Sequence, residues 1–375
     1  MDLNNIGKLG YGAMRLSSVC SSFEEEIKLA ETLFDTFLKE GFNYFDTSRI
    51  YGHSEDVLRE VLVKRHNRED FFITTKVNPW VDSVHSKEEA LSQFSDSLKH
   101  LGLDYVDCYM IHGIQDKTYH FCEDYDLFNF IEDKKKQGLT KYTGISWHGS
   151  PQLLDKVLTQ HPELDIVQLQ INYFDWSSDD IMSKECYDVA RKHNKPIVVM
   201  EPNKGGRLSV IREDCEDIFR EYDPYSSPTS WSMRFVKTLP GILCILSGMG
   251  SAKELYDNII SIKYKDDLSQ DEMSVLKKVC DKLKSDEESQ CTKCCYCQRV
   301  CPEHIGISGV MVIAENLNKF PNYYDDHFDS ALSQIKNNGT GYPKDCIKCG
   351  KCEEVCPQHL KIRNFVKLIS DTFDI

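Results

Sequence analysis

The 375-residue chain lacks three features that would each have set its class. It has no surplus of basic residues: 45 Lys and Arg stand against 60 Asp and Glu, a net charge of −15. Binding to a phosphate backbone calls for a basic stripe, so neither DNA nor RNA is expected as a partner. No run approaches about 18 uncharged apolar residues, the length at which a segment reads as a membrane span. Residues 1–9 carry no basic stretch leading into an apolar run, the pattern of an export leader. Together these absences predict a soluble, cytoplasmic protein with no membrane partner. They also remove the ordinary explanation for its 16 cysteines, because disulfides accumulate in exported chains. Nine of the cysteines fall in the last 85 residues, and metal ligation accounts better for that crowding.

What the chain does have is an alternation. Short apolar segments fall at Lys8–Leu16, Phe42–Asp46, Phe71–Val77, Val106–Ile111, Tyr142–Ser146, Ile166–Ile171, Pro196–Met200 and Leu243–Ser247. Helical periodicity fills the intervals at Glu24–Lys39, Ser54–Arg65, Lys87–Leu101, Tyr125–Lys136, Gln152–Thr159, Ile181–His193 and Ala252–Ile262. In the first of these, Ile27, Ala30, Leu33, Phe34, Phe37 and Leu38 share one stripe, acids occupy the first turn and Gly41 follows as a stop. Repeated strand and helix units predict a parallel sheet, and eight of them close a barrel, so the fold class is α/β, a (β/α)8 TIM barrel. Asn203–Pro228 reads as polar and irregular, either a lid or cofactor clasp or a plain surface excursion. Ser269-Gln270-Asp271-Glu272 matches a capping box opening a helix to about Lys284, and the charged stretch 285–289 reads as a link.

Candidate chemistry sits at three strand ends. Asp46 and Tyr51 lie five residues apart after the second strand, Lys76 ends the third and His112 ends the fourth. In a parallel barrel those ends converge on one mouth, where such enzymes keep their reacting groups. A step that needs a proton delivered to oxygen meets a reluctant donor in a tyrosine with its usual pKa near 10. An ammonium at Lys76 would favour the phenolate, Asp46 would hold that lysine charged and oriented, and His112 would orient the substrate oxygen. Each residue alone has a structural explanation: a snorkelling lysine, an aspartate capping a turn, a histidine bonded to a backbone carbonyl. As a set, in order and spacing, Asp46, Tyr51, Lys76 and His112 resemble the catalytic tetrad of the aldo/keto reductases, and residues 1–265 resemble that family.

The resemblance implies a carbonyl oxidoreductase with a nicotinamide cofactor and a small carbonyl or alcohol as substrate. It implies Ser146 and Gln168 as contacts to the carboxamide. Trp147 stands where the family has an asparagine, with His148 as a candidate substitute. It further implies that Pro202–Arg207, with Gly205 and Gly206, and Ser247–Ser251, with Gly248 and Met249, carry the cofactor's phosphates on backbone N–H groups. Where relatives place basic residues for the adenosine 2′-phosphate, this chain has Gly248, Met249 and Glu254, so NADP and NAD both stay open.

Cys291-x2-Cys294-x2-Cys297-x3-Cys301-Pro302 and Cys346-x2-Cys349-x2-Cys352-x3-Cys356-Pro357 are two copies of the bacterial ferredoxin motif. In that motif three close thiolates hold one 4Fe-4S cubane and the fourth reaches the other cluster. The expected ligand sets are therefore Cys291, Cys294, Cys297 and Cys356 for one cluster, and Cys346, Cys349, Cys352 and Cys301 for the other. Zinc is the competing metal, but it usually takes two CxxC pairs. Cys295 reads as a bystander, and Cys20, Cys108, Cys122, Cys186, Cys215, Cys244 and Cys280 as small buried hydrophobes. Between the motifs, helices are expected around Ser308–Lys319 and His327–Asn337.

A barrel with this tail resembles the iron-sulfur subgroup of aldo/keto reductases. The expected organisation is a barrel at 1–265, a capping helix and link at 266–289, and a small, mainly α-helical ferredoxin-like iron-sulfur domain at 290–375. One functional reading is a hydride-transferring reductase whose two 4Fe-4S clusters exchange electrons with a one-electron redox protein. Another is an electron-transfer protein whose barrel holds a flavin, because a nicotinamide moves two electrons as hydride whereas a cluster moves one. A third is a cofactor-binding or sensing module.

Overall fold

The computed structural model describes residues 2–16, 20, 22–81, 84–284, 291–319, 332–333 and 335–375. Among them, eight parallel strands close in sequence order: β1 (Leu9–Gly12), β2 (Tyr44–Asp46), β3 (Phe72–Val77), β4 (Val106–Ile114), β5 (Thr140–Trp147), β6 (Ile166–Gln170), β7 (Ile197–Met200) and β8 (Ile242–Ser247). The circle is completed by β8 pairing with β1, Leu9 opposite Ile245. Strands covered on both faces need apolar side chains on both, which is why they read as continuous apolar runs. One face fills the barrel with Tyr44, Phe72, Met110, Ile166, Val198 and Leu246. The other meets the helices, where Phe34 packs edge-on against Tyr11 and Phe45 at 4.8 and 5.0 Å between ring centres, geometry worth about 0.5–1.5 kcal/mol per pair beyond area burial. Cys108, Cys122, Cys186, Cys215, Cys244 and Cys280 are buried, while Cys20 is partly exposed.

Local chemistry sets the helix ends. Phe23–Lys39 starts at Ser22, whose side chain accepts from Glu25 N, and Lys87–Leu101 runs from a Ser86 cap to Gly102 in the left-handed region at φ 67°. The segment Ser54–Arg65 is an α-turn at Ser54–Leu58 continued by a π-helical turn at Arg59–Val63. Tyr125–Lys136 is broken at Asp126, with helices His120–Asp124 and Leu127–Lys136 on either side.

The expectation for Asn203–Pro228 needs correcting. It holds a 3-10 turn at Lys204–Gly206 and an α-helix at Glu213–Tyr222, and a further helix at Pro228–Thr238 leads into β8. The first helix is so charged that only Cys215 and Phe219, one turn apart, mark its buried face. The second carries a plain start signal, Ser227 as N-cap with Pro228 in the first turn.

The capping box at Ser269 forms reciprocally: Glu272 N–H donates to Ser269 Oγ at 3.2 Å and Ser269 N–H to Glu272 Oε2 at 2.8 Å. The helix Gln270–Lys284 buries Leu276, Val279 and Cys280 in the barrel's main core, and Arg234 pairs with Glu272 at 2.6 Å. Ser269→Ala should therefore cost about 1 kcal/mol, read as a lower urea midpoint of the barrel transition at unchanged m-value. An unmoved midpoint would leave the Arg234–Glu272 pair as what fixes this end.

The main division into two compact units falls between Leu283 and Lys284, with Met1–Trp80 and Val84–Leu283 forming the first. In the second, Ile307–Lys319 is helical, as the spacing predicts, whereas most of the segment expected as a helix at His327–Asn337 lies outside the described residues. A C-terminal helix, Ile362–Phe373, was not expected, although Ile362, Val366 and Ile369 mark its buried face. The core of this unit includes Ile305, Val310, Ile313 and Ile369 together with Cys301 and Cys356. Among the described residues no helix is long and apolar enough to cross a membrane.

Candidate active site and cluster ligands

Asp46, Lys76 and His112 lie on β2, β3 and β4, and Tyr51 stands in the turn after β2, where its N–H bonds Ser48 O at 2.9 Å and its O accepts from Ser54 N at 3.1 Å. Lys76 is fully buried and donates to Asp46 Oδ1 at 2.6 Å and to Thr47 O at 2.9 Å. Burial pushes the Asp46 carboxyl up, and the Lys76 ammonium opposes that shift. The ammonium also lies 5.1 Å from the centre of the Tyr51 ring. Tyr51 Oη is 3.0 Å from His112 Nε2. The four expected residues are thus brought together, with a phenol and an imidazole sharing one edge and a lysine–aspartate pair beneath.

His112 is not the end of its strand, because β4 continues to Ile114 through a register irregularity against β5 between Ile111 and Ile114. Gly113 takes φ 60° there, and a Cβ on it would stand 3.1 Å from Trp80 Nε1. The Trp80 indole donates to His112 O at 3.2 Å, so the bend and the tryptophan hold each other. Asn78 completes the arrangement. Its Oδ1 accepts from Trp80 N at 3.2 Å, which turns its amide nitrogen toward His112 Nδ1, also at 3.2 Å. His112 Nδ1 is then an acceptor, shared with Ser48 Oγ at 3.3 Å, and the neutral ring carries its proton on Nε2, facing Tyr51. Asn78, Trp80 and Ser48 were not anticipated from the sequence. The only signal was their closeness to Lys76 and Tyr51 in the chain.

The residues expected around a nicotinamide divide by strand alternation. Ser146 and Gln168 are buried, Ser146 Oγ donating to Met200 Sδ at 3.8 Å. Gln168 Oε1 has no hydrogen-bond partner, an acceptor that suits a carboxamide N–H. Trp147 belongs to the main core beneath the helices, its Nε1 donating to Gly149 O at 2.9 Å. Gly205 and Gly206 have φ of 66° and 92°, and a Cβ on Gly206 would meet nothing within 4 Å. Met249 turns its side chain into the core and its carbonyl accepts from Tyr11 Oη, so only backbone could meet a phosphate there. Glu254 accepts from Gly250 N at 2.7 Å through its carboxylate and donates its own N–H at 3.2 Å to Ser251 Oγ, the N-cap of the helix Ala252–Lys263.

In the second unit the two cysteine motifs repeat in backbone conformation as well as spacing. Lys293 and Lys348 (φ 57° and 60°), Cys295 and Gly350 (62° and 84°), and His304 and His359 (50° and 51°) occupy matching left-handed positions. Such residues turn successive N–H groups toward one point: Lys293 N–H bonds Cys291 Sγ at 3.4 Å, and the N–H groups of Leu360, Gln358 and His359 bond Cys356. Cys295 thus stands where the second motif uses glycine. Burial pushes the Cys297 thiol well up, and the neighbours adding to this are Cys294, Cys291, Cys356 and Cys295. Burial likewise pushes Cys352 up to about 12, with Glu353, Cys301, Cys346 and Cys349 contributing. A cavity is lined by Cys301, Cys346, Cys349 and Cys352, with Ile305 and Val366 also in its wall. Cys301, the fourth cysteine of the first motif, thus lies with the first three of the second, and Cys356, the fourth of the second, lies near Cys291 and Cys297 of the first.

A closed (β/α)8 barrel followed by a unit carrying two cysteine motifs makes a protein of composite build. The chain belongs to the aldo/keto reductase family: residues 8–281 match the model of that family, and residues 287–360 match a 4Fe-4S dicluster domain. It is similar to the uncharacterized oxidoreductase YqkF of Bacillus subtilis, 24% identical over 287 residues that span 67% of this chain and 89% of that protein. It is 35% identical over 144 residues to the methylglyoxal reductase DkgA of Escherichia coli O157:H7, 38% of this chain and 46% of that one, and so spans about half the length of that relative. An aldo-keto reductase from Klebsiella pneumoniae, solved in complex with NADPH, shares the fold with a TM-score of 0.56 at 17% identity, over 73% of this chain and 91% of that one.

Proposed function

We propose that the chain reduces a small carbonyl with a nicotinamide cofactor, using Tyr51 as general acid, and that two 4Fe-4S clusters link it to a one-electron redox protein. The observation that carries this reading is Tyr51 Oη at 3.0 Å from His112 Nε2 above the buried Lys76–Asp46 pair. A bound nicotinamide supplies hydride to the carbonyl carbon. The substrate oxygen accepts the Tyr51 proton and a hydrogen bond from His112 Nε2–H, becoming the alcohol. Lys76 stabilises the phenolate that remains, and Asp46 keeps Lys76 charged and aimed. Ser146 and Gln168 would hold the carboxamide, and the loops at Gly205–Gly206 and Gly248–Met249 the phosphates. DkgA is a methylglyoxal reductase, and a small carbonyl of that class is the substrate proposed. An anaerobic screen of small carbonyls with NADH and NADPH tests the reading; no oxidation of either by any of them would sink it.

One observation favours a second reading. Trp147 turns into the core and offers no side chain to a carboxamide, and a flavin would match two-electron hydride chemistry to one-electron clusters. A resolved absorption band near about 450 nm in protein purified without oxygen would select the flavin, whereas broad absorption near about 400 nm alone would be that of the clusters.

Lys76→Met tests the division of labour. Removing a cation beside a phenol raises the pH at which the phenol ionises. An acid catalyst works below its pKa, so the alkaline limb of carbonyl reduction should move to higher pH while the rate falls. An unchanged profile at a lower rate would assign Lys76 to pocket shape.

A further inference from the structure

The loop after β7 holds four left-handed residues within six: Glu201 (φ 56°), Lys204 (46°), Gly205 (66°) and Gly206 (92°). For Glu201 and Lys204 that conformation costs roughly 1–2 kcal/mol each, so something must hold them. Lys204 Nζ pairs with Asp175 at 2.6 Å, each side chain only 2% exposed. Asp175 Oδ2 also accepts from Gln170 Nε2 and Asn172 Nδ2, both at 2.9 Å, and Asn172 Nδ2 reaches Glu201 O at 3.1 Å. This network fixes the Glu201 backbone and with it the direction of the side chain.

The Glu201 carboxylate thereby enters an anion-binding arrangement. Its Oε1 is 3.7 Å from Arg15 Nη2, the Gly205 backbone N–H bonds it, and Arg15 and Lys204 are the cations acting on it, with Asp175 opposing them. Its Oε2 is buried without a hydrogen-bond partner. Burial pushes the carboxyl up, against the pull of the two cations. Arg15, just beyond β1, lays its stem on Gly248, where a Cβ would stand 3.3 Å from Arg15 Cδ. The Arg15 side chain therefore spans the loops after β7 and β8, its stem on Gly248 and its guanidinium toward Glu201, the two loops assigned above to the phosphates. An internal anion sits where an external one is wanted.

We propose that Glu201 is an internal stand-in for the cofactor's diphosphate, which an incoming dinucleotide must displace from Arg15. The inference rests on the nicotinamide reading. It keeps Arg15 paired in the resting site and requires each anionic ligand to separate the Arg15–Glu201 pair. A carboxylate this near a doubly anionic diphosphate opposes its binding, and a neutral isostere would not.

The test is dissociation constants for NADH and NADPH, measured by titration calorimetry on the full chain at low salt. Glu201→Gln should bind the dinucleotides roughly tenfold more tightly than the wild type, Glu201→Asp should stay within about threefold, and Arg15→Met should bind roughly tenfold more weakly, on the scale of one close charge pair. A purely structural role for Glu201 predicts weaker binding for the glutamine variant. Equal or weaker binding by Glu201→Gln overturns the proposal, as does equal tightening by Glu201→Asp. If the glutamine variant does not fold, unchanged affinity in Arg15→Met overturns it. Absence of binding by the wild type would instead remove the nicotinamide reading, and this inference with it, and that result is read without any variant.

Discussion

Tyr51→Phe is expected to lower kcat/KM for carbonyl reduction by at least about a hundredfold, the usual scale for losing a positioned general acid, with dinucleotide affinity nearly unchanged. The substitution removes one oxygen and little else. The ring is buried and meets His112 edge-on at 5.4 Å, contacts that phenylalanine keeps. The backbone bonds of the turn, Tyr51 N to Ser48 O and Ser54 N to Tyr51 O, do not involve the hydroxyl. What disappears is the proton donor 3.0 Å from His112 Nε2. His112 cannot take over easily, because Asn78 and Ser48 at Nδ1 hold it as the neutral Nε2–H form, a poor acid compared with a phenol next to an ammonium. Turnover equal to the wild type, with dinucleotide affinity intact, would remove Tyr51 as the acid and favour an electron-transfer role for the barrel.

The barrel was legible because burial on both faces writes each strand as a short apolar run, and because serine caps and glycine stops punctuate the helices between. The meeting of Asp46, Tyr51, Lys76 and His112 was legible because chain order and strand position carry it. Its supports were not: Asn78 and Trp80 look like loop composition until the bend at Gly113 brings them onto His112. The Lys204–Asp175 pair joins residues 29 apart in sequence that have no pattern in common. Trp147 shows the opposite case. It stands where the resemblance puts an asparagine contact, and strand alternation sends the neighbour of an inward Ser146 outward into the core. The helix at Glu213–Tyr222 was hidden by its charge, since two buried residues in ten give little periodicity. In the cysteine unit only Gly350 hinted at the repeated left-handed turns, because lysine, histidine and cysteine at the matching positions carry no such signature.

Cys356→Ala is expected to disrupt the cluster held by Cys291, Cys294 and Cys297, and Cys301→Ala the one held by Cys346, Cys349 and Cys352. If both sites hold cubanes, the intact chain should carry about eight irons and each variant should lose up to about four. Three observations support the crossed assignment. Cys356 lies near the Cys291 and Cys297 thiols, Cys301 lies near Cys352, and Cys301 lines one cavity with Cys346, Cys349 and Cys352. Both crossing cysteines are buried and belong to the core of the unit, so each helps to join two motifs that are far apart in the chain. Losing either should therefore also loosen the fold, and alanine alone would confuse ligand loss with unfolding. Cys356→Ser and Cys301→Ser keep the volume and offer a weaker oxygen ligand, so they should shift one cluster's signal rather than abolish both. Electron paramagnetic resonance of the reduced serine variants, prepared without oxygen, separates the cases. A change confined to the cluster of the substituted cysteine's own motif would rule out the crossing, and zinc without iron in the wild-type protein would rule out the clusters.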